Sequence, residues 1–244
     1  MSLTDNVPIP RKTMVLFFMI DTSWSMRGAK IDAVNSTIKE VIPELENLSD
    51  ANADAQIKIA TLAFSTGARW LTPRGPIAVE NYVWKDLTAQ GLTDFGDACV
   101  ELNQKLSTSV TGFMREATGS FAPAIFLLSD GRPGSYKKKL GELRKNDWFR
   151  KAIKVAVAIG NDADCSILAE FTGTGETVVT VHNVAMLKKM IKFVSVRASE
   201  VASKNANVGS PEGGDSKQAA FIDELNNFKV EAAASADAGE DDEW

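Results

Sequence analysis

Apolar residues between positions 12 and 203 fall into two patterns, unbroken runs and runs with helical spacing. Short unbroken runs are typical of central strands that are buried on both faces of a sheet. Spacings of three and four residues place apolar side chains on one face of a helix. Strands are predicted at 14–20, 124–128 and 155–159, and also at 57–64 and 177–181, where a few polar residues interrupt the apolar ones. Helices are predicted after Gly28 and at about 95–106, 167–171 and 184–201, with a polar, basic helix at about 136–145.

Strands that alternate with helices predict an α/β fold: a Rossmann-like, doubly wound and mostly parallel sheet with helices on both faces. Residues 69–71 and 77–79 flank a turn with Pro73, Gly75 and Pro76, which predicts an edge hairpin or an irregular loop. Right-handed crossovers place the carboxyl ends of parallel strands at one edge of the sheet. Because ligand sites of open α/β sheets form along that edge, the polar residues that follow the strands are the candidates for function.

The composition is ordinary for a globular chain, since 44% of its 244 residues are apolar and 24% are charged. This length predicts one large domain, or one domain with a tail. No apolar run suits a membrane span and the amino-terminal residues lack a signal-peptide pattern, so we expect a cytoplasmic protein without membrane contact. Cys99 and Cys165 lie among apolar residues and are predicted to be buried free thiols, in keeping with a reducing compartment.

The net charge of −5 is distributed unevenly along the chain. Residues 205–244 contain ten acidic residues and two lysines, a net charge of −8, which leaves +3 for residues 1–204. A segment so acidic and so poor in apolar residues cannot bury enough surface to offset its ordering entropy. We therefore predict an amino-terminal extension over 1–12, a folded domain over 13–203 and an acidic, mostly disordered tail over 204–244.

One short piece of the tail has helical spacing of its apolar residues, which are Phe221, Ile222, Leu225 and Phe228. It is predicted either to dock on a partner or to pack against its own domain. A flexible acidic tail is also long enough to reach back and cover a cation site, so self-regulation is a second open hypothesis. The acidic balance gives no indication of nucleic-acid binding.

Three polar segments lie at the predicted ligand edge, namely Asp21-Thr22-Ser23-Trp24-Ser25, Gly91-Leu92-Thr93-Asp94 and Ser129-Asp130-Gly131. Alternate residues of an extended segment point the same way, so Asp21, Ser23 and Ser25 are predicted to direct their oxygens to one place. With Thr93 and Asp130 they form an all-oxygen set suited to a hard divalent cation. We predict Mg²⁺, with Mn²⁺ or Ca²⁺ as alternatives, and the lack of a thiol or imidazole at these positions argues against zinc.

Each of these residues also has a purely structural explanation. Asp21 can cap a turn, Ser25 can cap the helix that follows, and Thr93 or Asp94 can cap the second helix. We predict no enzymatic activity, because Ser23 and Ser25 have no activating base in the nearby motifs and the chain has one histidine. A metal-dependent phosphohydrolase is the alternative that the sequence leaves open.

The chain resembles a von Willebrand factor A domain with a metal-ion-dependent adhesion site over about residues 12–203. The resemblance lies in the order and spacing of Asp21, Ser23, Ser25, Thr93 and Asp130. The resemblance implies a six-stranded sheet with one antiparallel edge strand. It also implies that the first three residues contact the metal directly or through water. Thr93 would ligate the metal in the partner-bound state, and Asp130 would act mainly through water.

Within this superfamily the stretch Leu128-Ser129-Asp130-Gly131-x-Pro133 resembles the bacterial tellurium-resistance TerY-like proteins. The resemblance implies a protein-interaction module whose metal binds an Asp or Glu of a protein partner. It further implies a cytoplasmic complex of the tellurite or chemical stress response, with a Ser/Thr kinase or a metal-dependent phosphatase as partner.

The sequence departs from the family pattern at two places. Trp24 stands where many relatives have Gly, and Gly134-Ser135 stands where many TerY-like proteins have Thr-Asp. The loss of that carboxylate puts any subgroup-specific contact there in doubt, whereas Asp130 is retained for the metal. We predict a partner-binding rim around the ion formed by Trp24, Asp94 and Arg132.

Overall fold

The computed structural model describes residues 11–53, 55–116, 118–131, 134–160, 163–181, 185–187, 189–193, 196, 219 and 221–228. The strands are β1 (Lys12–Asp21), β2 (Ala55–Phe64), β3 (Ala68–Trp70), β4 (Ile77–Ala78), β5 (Ala124–Ser129), β6 (Ile153–Ile159) and β7 (Val178–Val181). The helices are α1 (Ala29–Ala51), α2 (Phe95–Lys105), α3 (Lys137–Leu143), α4 (Asp147–Lys151) and α5 (Cys165–Thr172). Short 3-10 helices span Trp24–Met26, Val79–Asn81 and Gly175–Thr177, and further helical residues lie at 185–187, 189–193 and 221–228.

The strands form one sheet in the order β3-β2-β1-β5-β6-β7, and β4 also pairs with β2. All neighbours from β2 to β7 are parallel. This confirms the predicted α/β fold with a mostly parallel sheet. The sheet has seven described strands where six were expected, because its antiparallel edge is divided into two short strands, β3 and β4. From β1 the chain passes first to β2 on one side and later to β5 on the other, so β1 and β5 flank the point where the strand order reverses. Such a point is where open α/β sheets place their ligands.

The antiparallel edge of the sheet is built from two short segments. β3 pairs antiparallel with residues 62–64 of β2, and β4 pairs antiparallel with residues 58–59 of the same strand. β3 and β4 therefore follow each other along one edge position, separated by residues 71–76. Of the two alternatives for this region, the irregular loop is the one observed, because both segments pair with β2 and neither forms a hairpin with the other.

Both faces of the sheet carry an apolar core. Alternate β1 residues such as Leu16 and Phe18 pack with α1, while Phe17 and Met19 pack with α2, α3 and α5 on the other face. Nine successive residues of β1 are buried, which confirms the prediction of a central strand. The result is a rigid strand whose last residue, Asp21, is fixed at the carboxyl edge of the sheet.

The predicted basic helix at about 136–145 is shorter than expected and is followed by a second helix. α3 ends at Leu143, and the Asn146 side chain accepts hydrogen bonds from the backbone N–H groups of Trp148 and Phe149. An Asx cap of this kind starts a new helix, which is α4. Among the described helices, none combines the length and the apolar character that a membrane crossing requires.

The piece of the acidic tail with helical spacing forms a helix over 221–228 that packs against its own domain. Phe221 and Leu225 are fully buried in the core that contains α1, and the ring of Phe228 stacks on Phe193 with their centroids 4.3 Å apart. Packing within the chain is therefore the alternative that the structure shows for this piece. The remainder of the predicted tail, apart from residue 219, lies outside the described residues.

The two cysteines differ in their surroundings. Cys99 is a free thiol in the core beneath α2, and burial raises its pKa to about 12. Cys165 is also free but is exposed, so the prediction of a second buried thiol was wrong. The reason is its position as the first residue of α5, where the chain enters the helix at the surface.

Candidate metal centre

The first candidate loop leaves β1 at Asp21, whose side chain is fully buried. The backbone N–H of Ser23 donates to Oδ1 of Asp21 at 2.8 Å, and the hydroxyls of Ser23 and Ser25 lie 3.1 Å apart in hydrogen-bond contact. Thr22 faces the other way, because its hydroxyl donates to the Phe64 carbonyl of β2 at 3.0 Å. Asp21, Ser23 and Ser25 are therefore linked, as expected, but Ser25 lies in the 3-10 helix Trp24–Met26 and not in the extended segment that the sequence predicted.

Ser129 connects this loop to the neighbouring strand. Its hydroxyl donates to Oδ2 of Asp21 at 2.6 Å and accepts from the backbone N–H of Gly131 at 2.9 Å. The strand register explains the contact, since Ile20 of β1 pairs with Leu128 of β5 and the next residues are Asp21 and Ser129. Ser129 belongs to the third candidate loop, but its residue type alone predicted no specific role for it. Its position at the end of a strand, directly before Asp130, was the available signal.

Asp130 is fully buried, and neither of its carboxylate oxygens accepts a hydrogen bond within the described part of the chain. The Lys30 ammonium of α1 lies 3.6 Å from Oδ2 of Asp130. Gly131 follows with a φ of 71°, and a Cβ there would lie 2.5 Å from the Asp164 carbonyl oxygen. Glycine is therefore required at 131, and the loop that carries Asp130 is held tightly against residue 164.

The two buried carboxylates require a positive charge. The pKa of Asp21 is raised above its ordinary value, mainly because the carboxylate is buried. The hydrogen bonds from Ser129 and Ser23 lower the pKa in part, and the nearby Asp130 raises it further. A buried carboxylate that accepts no hydrogen bond is costly unless a cation or a metal compensates it. Two carboxylates and a set of hydroxyls suit a hard divalent ion, so the residues present fit the metal that the sequence predicts. The described residues contain no group of three or more His, Cys, Asp or Glu side chains that could hold a metal, and the candidate site itself combines two carboxylates with hydroxyl groups.

The second candidate loop is tied to the first by its backbone. The N–H of Trp24 donates to the Gly91 carbonyl at 2.9 Å, and the N–H of Gln90 donates to the Thr22 carbonyl at 2.7 Å. Thr93 is half-buried, and its carbonyl accepts from the N–H of Gly134 at 3.1 Å, which places it between the first and third loops. All three predicted loops therefore meet at one edge of the sheet.

Asp94 has a structural role as the N-cap of α2, because its Oδ1 accepts from the backbone N–H of Asp97 at 2.8 Å. The helix-cap explanation from the sequence therefore applies to Asp94. A contact of its other oxygen with a partner stays a prediction.

The surface around the loops carries exposed apolar side chains. Trp24 is 62% exposed, and the guanidinium of Arg27 lies 4.0 Å from the centroid of its ring. Leu92 is 77% exposed on the neighbouring loop. Arg132, the third residue of the predicted rim, lies outside the described residues.

Comparison with known proteins gives the family of the chain. The family model described as the von Willebrand factor type A domain matches residues 16–193. No curated protein matches the sequence. Among solved structures, the chain is similar to a von Willebrand factor type A protein from Catenulispora acidiphila, with 17% identity and a TM-score of 0.56, over 77% of this chain and 43% of that one.

Two further structures have the same fold. Proximal thread matrix protein 1 from the mussel byssus, solved with a zinc-occupied MIDAS motif, is 18% identical with a TM-score of 0.53, over 77% of this chain and 46% of that one. The ArnB paralog from Sulfolobus acidocaldarius is 18% identical with a TM-score of 0.53, over 76% of this chain and 45% of that one. The chain spans less than half the length of each of these three structures. Together with the parallel sheet and the loops at its carboxyl edge, the family match shows that this chain belongs to the von Willebrand factor type A domain family.

Proposed function

We propose that the chain is a divalent-metal-dependent protein-interaction module whose ion binds an Asp or Glu side chain of a partner. The residues that hold the ion are Asp21, Ser23, Ser25, Thr93 and Asp130. The observation that carries the proposal is the buried carboxylate of Asp130, which accepts no hydrogen bond from the described residues although three polar loops meet beside it.

The family supports binding over catalysis. Von Willebrand factor type A domains are generally non-enzymatic protein-interaction modules, and homologues bind a metal at the adhesion-site motif. The mussel protein has zinc at its motif. For this chain we propose Mg²⁺, with Mn²⁺ and Ca²⁺ as alternatives, because the candidate donors are carboxylate and hydroxyl oxygens only.

The chain's own residues prepare the site for such a contact. A bound Mg²⁺ supplies an electrophilic position to a carboxylate oxygen that the partner brings. Ser129 and the backbone of Ser23 each donate to one oxygen of Asp21, which fixes the orientation of its carboxylate. Burial excludes water from Asp21 and Asp130, so the charge of the ion is weakly screened there.

The exposed rim around the proposed metal site indicates which side chains a partner should carry. The exposed apolar surface comes from Trp24, which stacks with Arg27, and from Leu92. These residues lie in the first and second loops, which a backbone hydrogen bond from Trp24 to Gly91 joins. Exposed aromatic and arginine side chains are the residue types that contribute most to protein interfaces. The rim suits a partner segment that carries an apolar side chain next to its acidic residue, and Asp94 and Arg132 complete the proposed rim.

The biological setting rests on the resemblance to TerY-like proteins. We extend the proposal to a cytoplasmic complex of the bacterial tellurite or chemical stress response, with a Ser/Thr kinase or a metal-dependent phosphatase as partner. A metal-dependent phosphohydrolase activity is the competing function, and a substrate screen with Mg²⁺ or Mn²⁺ distinguishes it from binding.

The first test is calorimetric titration of the metal-free protein with Mg²⁺, Mn²⁺ and Ca²⁺, followed by capture of partners with and without EDTA. Asp21→Ala should abolish Mg²⁺ binding and partner capture. Asp50→Ala, at an exposed position at the far end of α1, is the matched control and should change neither. Capture that persists equally in EDTA and in Asp21→Ala contradicts the proposed function.

A further inference from the structure

Lys30 lies at an unusual place for a lysine. It is in the first turn of α1, where the helix dipole favours acidic side chains and disfavours a cation. Its side chain is 15% exposed and its ammonium faces the fully buried Asp130 carboxylate at 3.6 Å. Helix propensity does not explain a lysine that turns inward here, whereas the charge of Asp130 does.

The charges around this point come from three elements. Asp21 ends β1, Asp130 follows β5, and Lys30 reaches them from α1. Arg27 precedes α1 in the chain, but it is exposed and stacks on the Trp24 ring. Among the described residues, the Lys30 ammonium is the cation found against the Asp130 carboxylate.

We propose that Lys30 is a tethered counter-ion, which balances Asp130 when the divalent ion is absent and competes with that ion when it is present. This inference rests on the proposed function, because it concerns the same metal site. A lysine has a flexible four-carbon stem, so its ammonium can withdraw towards solvent when the ion binds. The consequence is a module that stays folded without metal and binds metal reversibly. The charge of the lysine sets the metal concentration at which binding occurs.

Two electrostatic interactions of Lys30 with opposite sign explain this behaviour, namely its attraction to Asp130 and its repulsion of the metal ion. Removal of one partner of a buried ion pair leaves an uncompensated charge and destabilises the fold. An ammonium and a divalent cation that share one carboxylate repel each other, and the repulsion is strong where solvent is excluded. Loss of the Lys30 charge should therefore weaken the metal-free protein and strengthen metal binding.

The test compares the full chain with Lys30→Met, which keeps most of the aliphatic stem and deletes the charge. Lys39→Met is the matched control, because Lys39 lies on the same helix in an exposed pair with Asp86, with 50% and 57% of their side chains exposed. Each protein is titrated with Mg²⁺ alone by calorimetry, and its melting temperature is measured in EDTA and in saturating Mg²⁺.

For Lys30→Met we expect a Kd for Mg²⁺ about tenfold lower than in the wild type. We also expect its melting temperature in EDTA to be about 5 °C lower than that of the wild type. Saturating Mg²⁺ should restore the wild-type melting temperature. Lys39→Met should match the wild type in both measurements. Lys30→Arg keeps the charge and should resemble the wild type. Lys30→Met combined with Asp130→Asn removes both charges and should recover the melting temperature in EDTA, which keeps the test valid if the single variant folds poorly.

An unchanged Kd and an unchanged melting temperature in EDTA for Lys30→Met overturn the inference, and so does a weaker Kd. If the wild type binds Mg²⁺ in these titrations, such a result leaves the proposed function intact. If no variant and no wild-type protein binds a divalent ion, the proposed function fails and the competition fails with it. Binding by Lys30→Met alone supports the inference in its strongest form.

Discussion

At the scale of single residues, the candidate site depends on how Asp21 is held. Its two oxygens accept from different elements, Oδ1 from the Ser23 backbone in its own loop and Oδ2 from the Ser129 hydroxyl of β5. The second bond joins residues 108 positions apart in the sequence, so it couples the orientation of the carboxylate to the register of two strands. Ser129 is for this reason a positioning residue of the proposed metal site.

Ser129→Ala tests this role. Because the bond from Ser129 lowers the pKa of the buried Asp21, its loss should let protons compete better with Mg²⁺ and weaken Mg²⁺ binding. The unfolding free energy should fall by about 1–3 kcal/mol, since a buried oxygen loses its donor. Calorimetry and denaturant unfolding measure the two effects. Ser36→Ala on α1, whose hydroxyl makes a long, exposed contact to Glu40, is the control, and equal Mg²⁺ affinity in both variants would show that Ser129 does not position Asp21.

At the scale of elements, the 221–228 helix is part of the folded domain and not a free docking motif. Phe221 and Leu225, one helical turn apart, are fully buried in the core beside α1. Asn226 and Asn227 are exposed on the other side of the helix. The helix therefore has one apolar face, and that face is already covered by the chain itself.

Phe221→Ala should lower the unfolding free energy by about 3–5 kcal/mol, because it removes a large side chain from a closed core and leaves a cavity. Asn227→Ala, on the exposed face of the same helix, should change it by less than about 0.5 kcal/mol. Denaturant unfolding of the full chain measures both. Similar values for the two variants would mean that the helix does not contribute to the core in solution.

At the scale of the whole molecule, the sheet is protected unequally. β1 and β5 lie at its centre with a core on each face, whereas β3 and β4 are three and two residues long, respectively, and form the outer edge beside β2. The candidate site lies between the two central strands, so its carboxylates are attached to the most enclosed part of the fold. Its rim, in contrast, lies on exposed loops.

This arrangement predicts the pattern of amide hydrogen exchange. Amides of β1 and β5 should exchange only on global unfolding, while those of β3 and β4 should exchange through local opening, at rates at least about a hundredfold higher. Mass spectrometry of exchanged peptides measures the difference. β7, which is short but paired in parallel with β6, is the comparison strand, and protection of β3 and β4 equal to that of β1 would contradict the proposed order of stability.

Local pattern determined much of this protein. An unbroken apolar run predicted β1, shorter or interrupted apolar runs predicted β2, β5, β6 and β7, and three-four spacing predicted α1 and α2, because the periods of strands and helices are visible among neighbouring residues. A two-residue period predicted that Asp21, Ser23 and Ser25 share one side of their loop. The three are linked although Ser25 lies in a 3-10 helix, and their assignment as metal ligands remains our proposal.

Only the tertiary structure decided the contacts between distant segments. The contact of Lys30 with Asp130 spans 100 positions, and no periodicity in the sequence encodes it. The bond from Ser129 to Asp21, the burial of Phe221 and the shared edge of β3 and β4 likewise depend on strand register and on which face of a helix meets the core. A residue's local pattern fixes the direction of its side chain, but packing of the whole chain decides what that side chain meets.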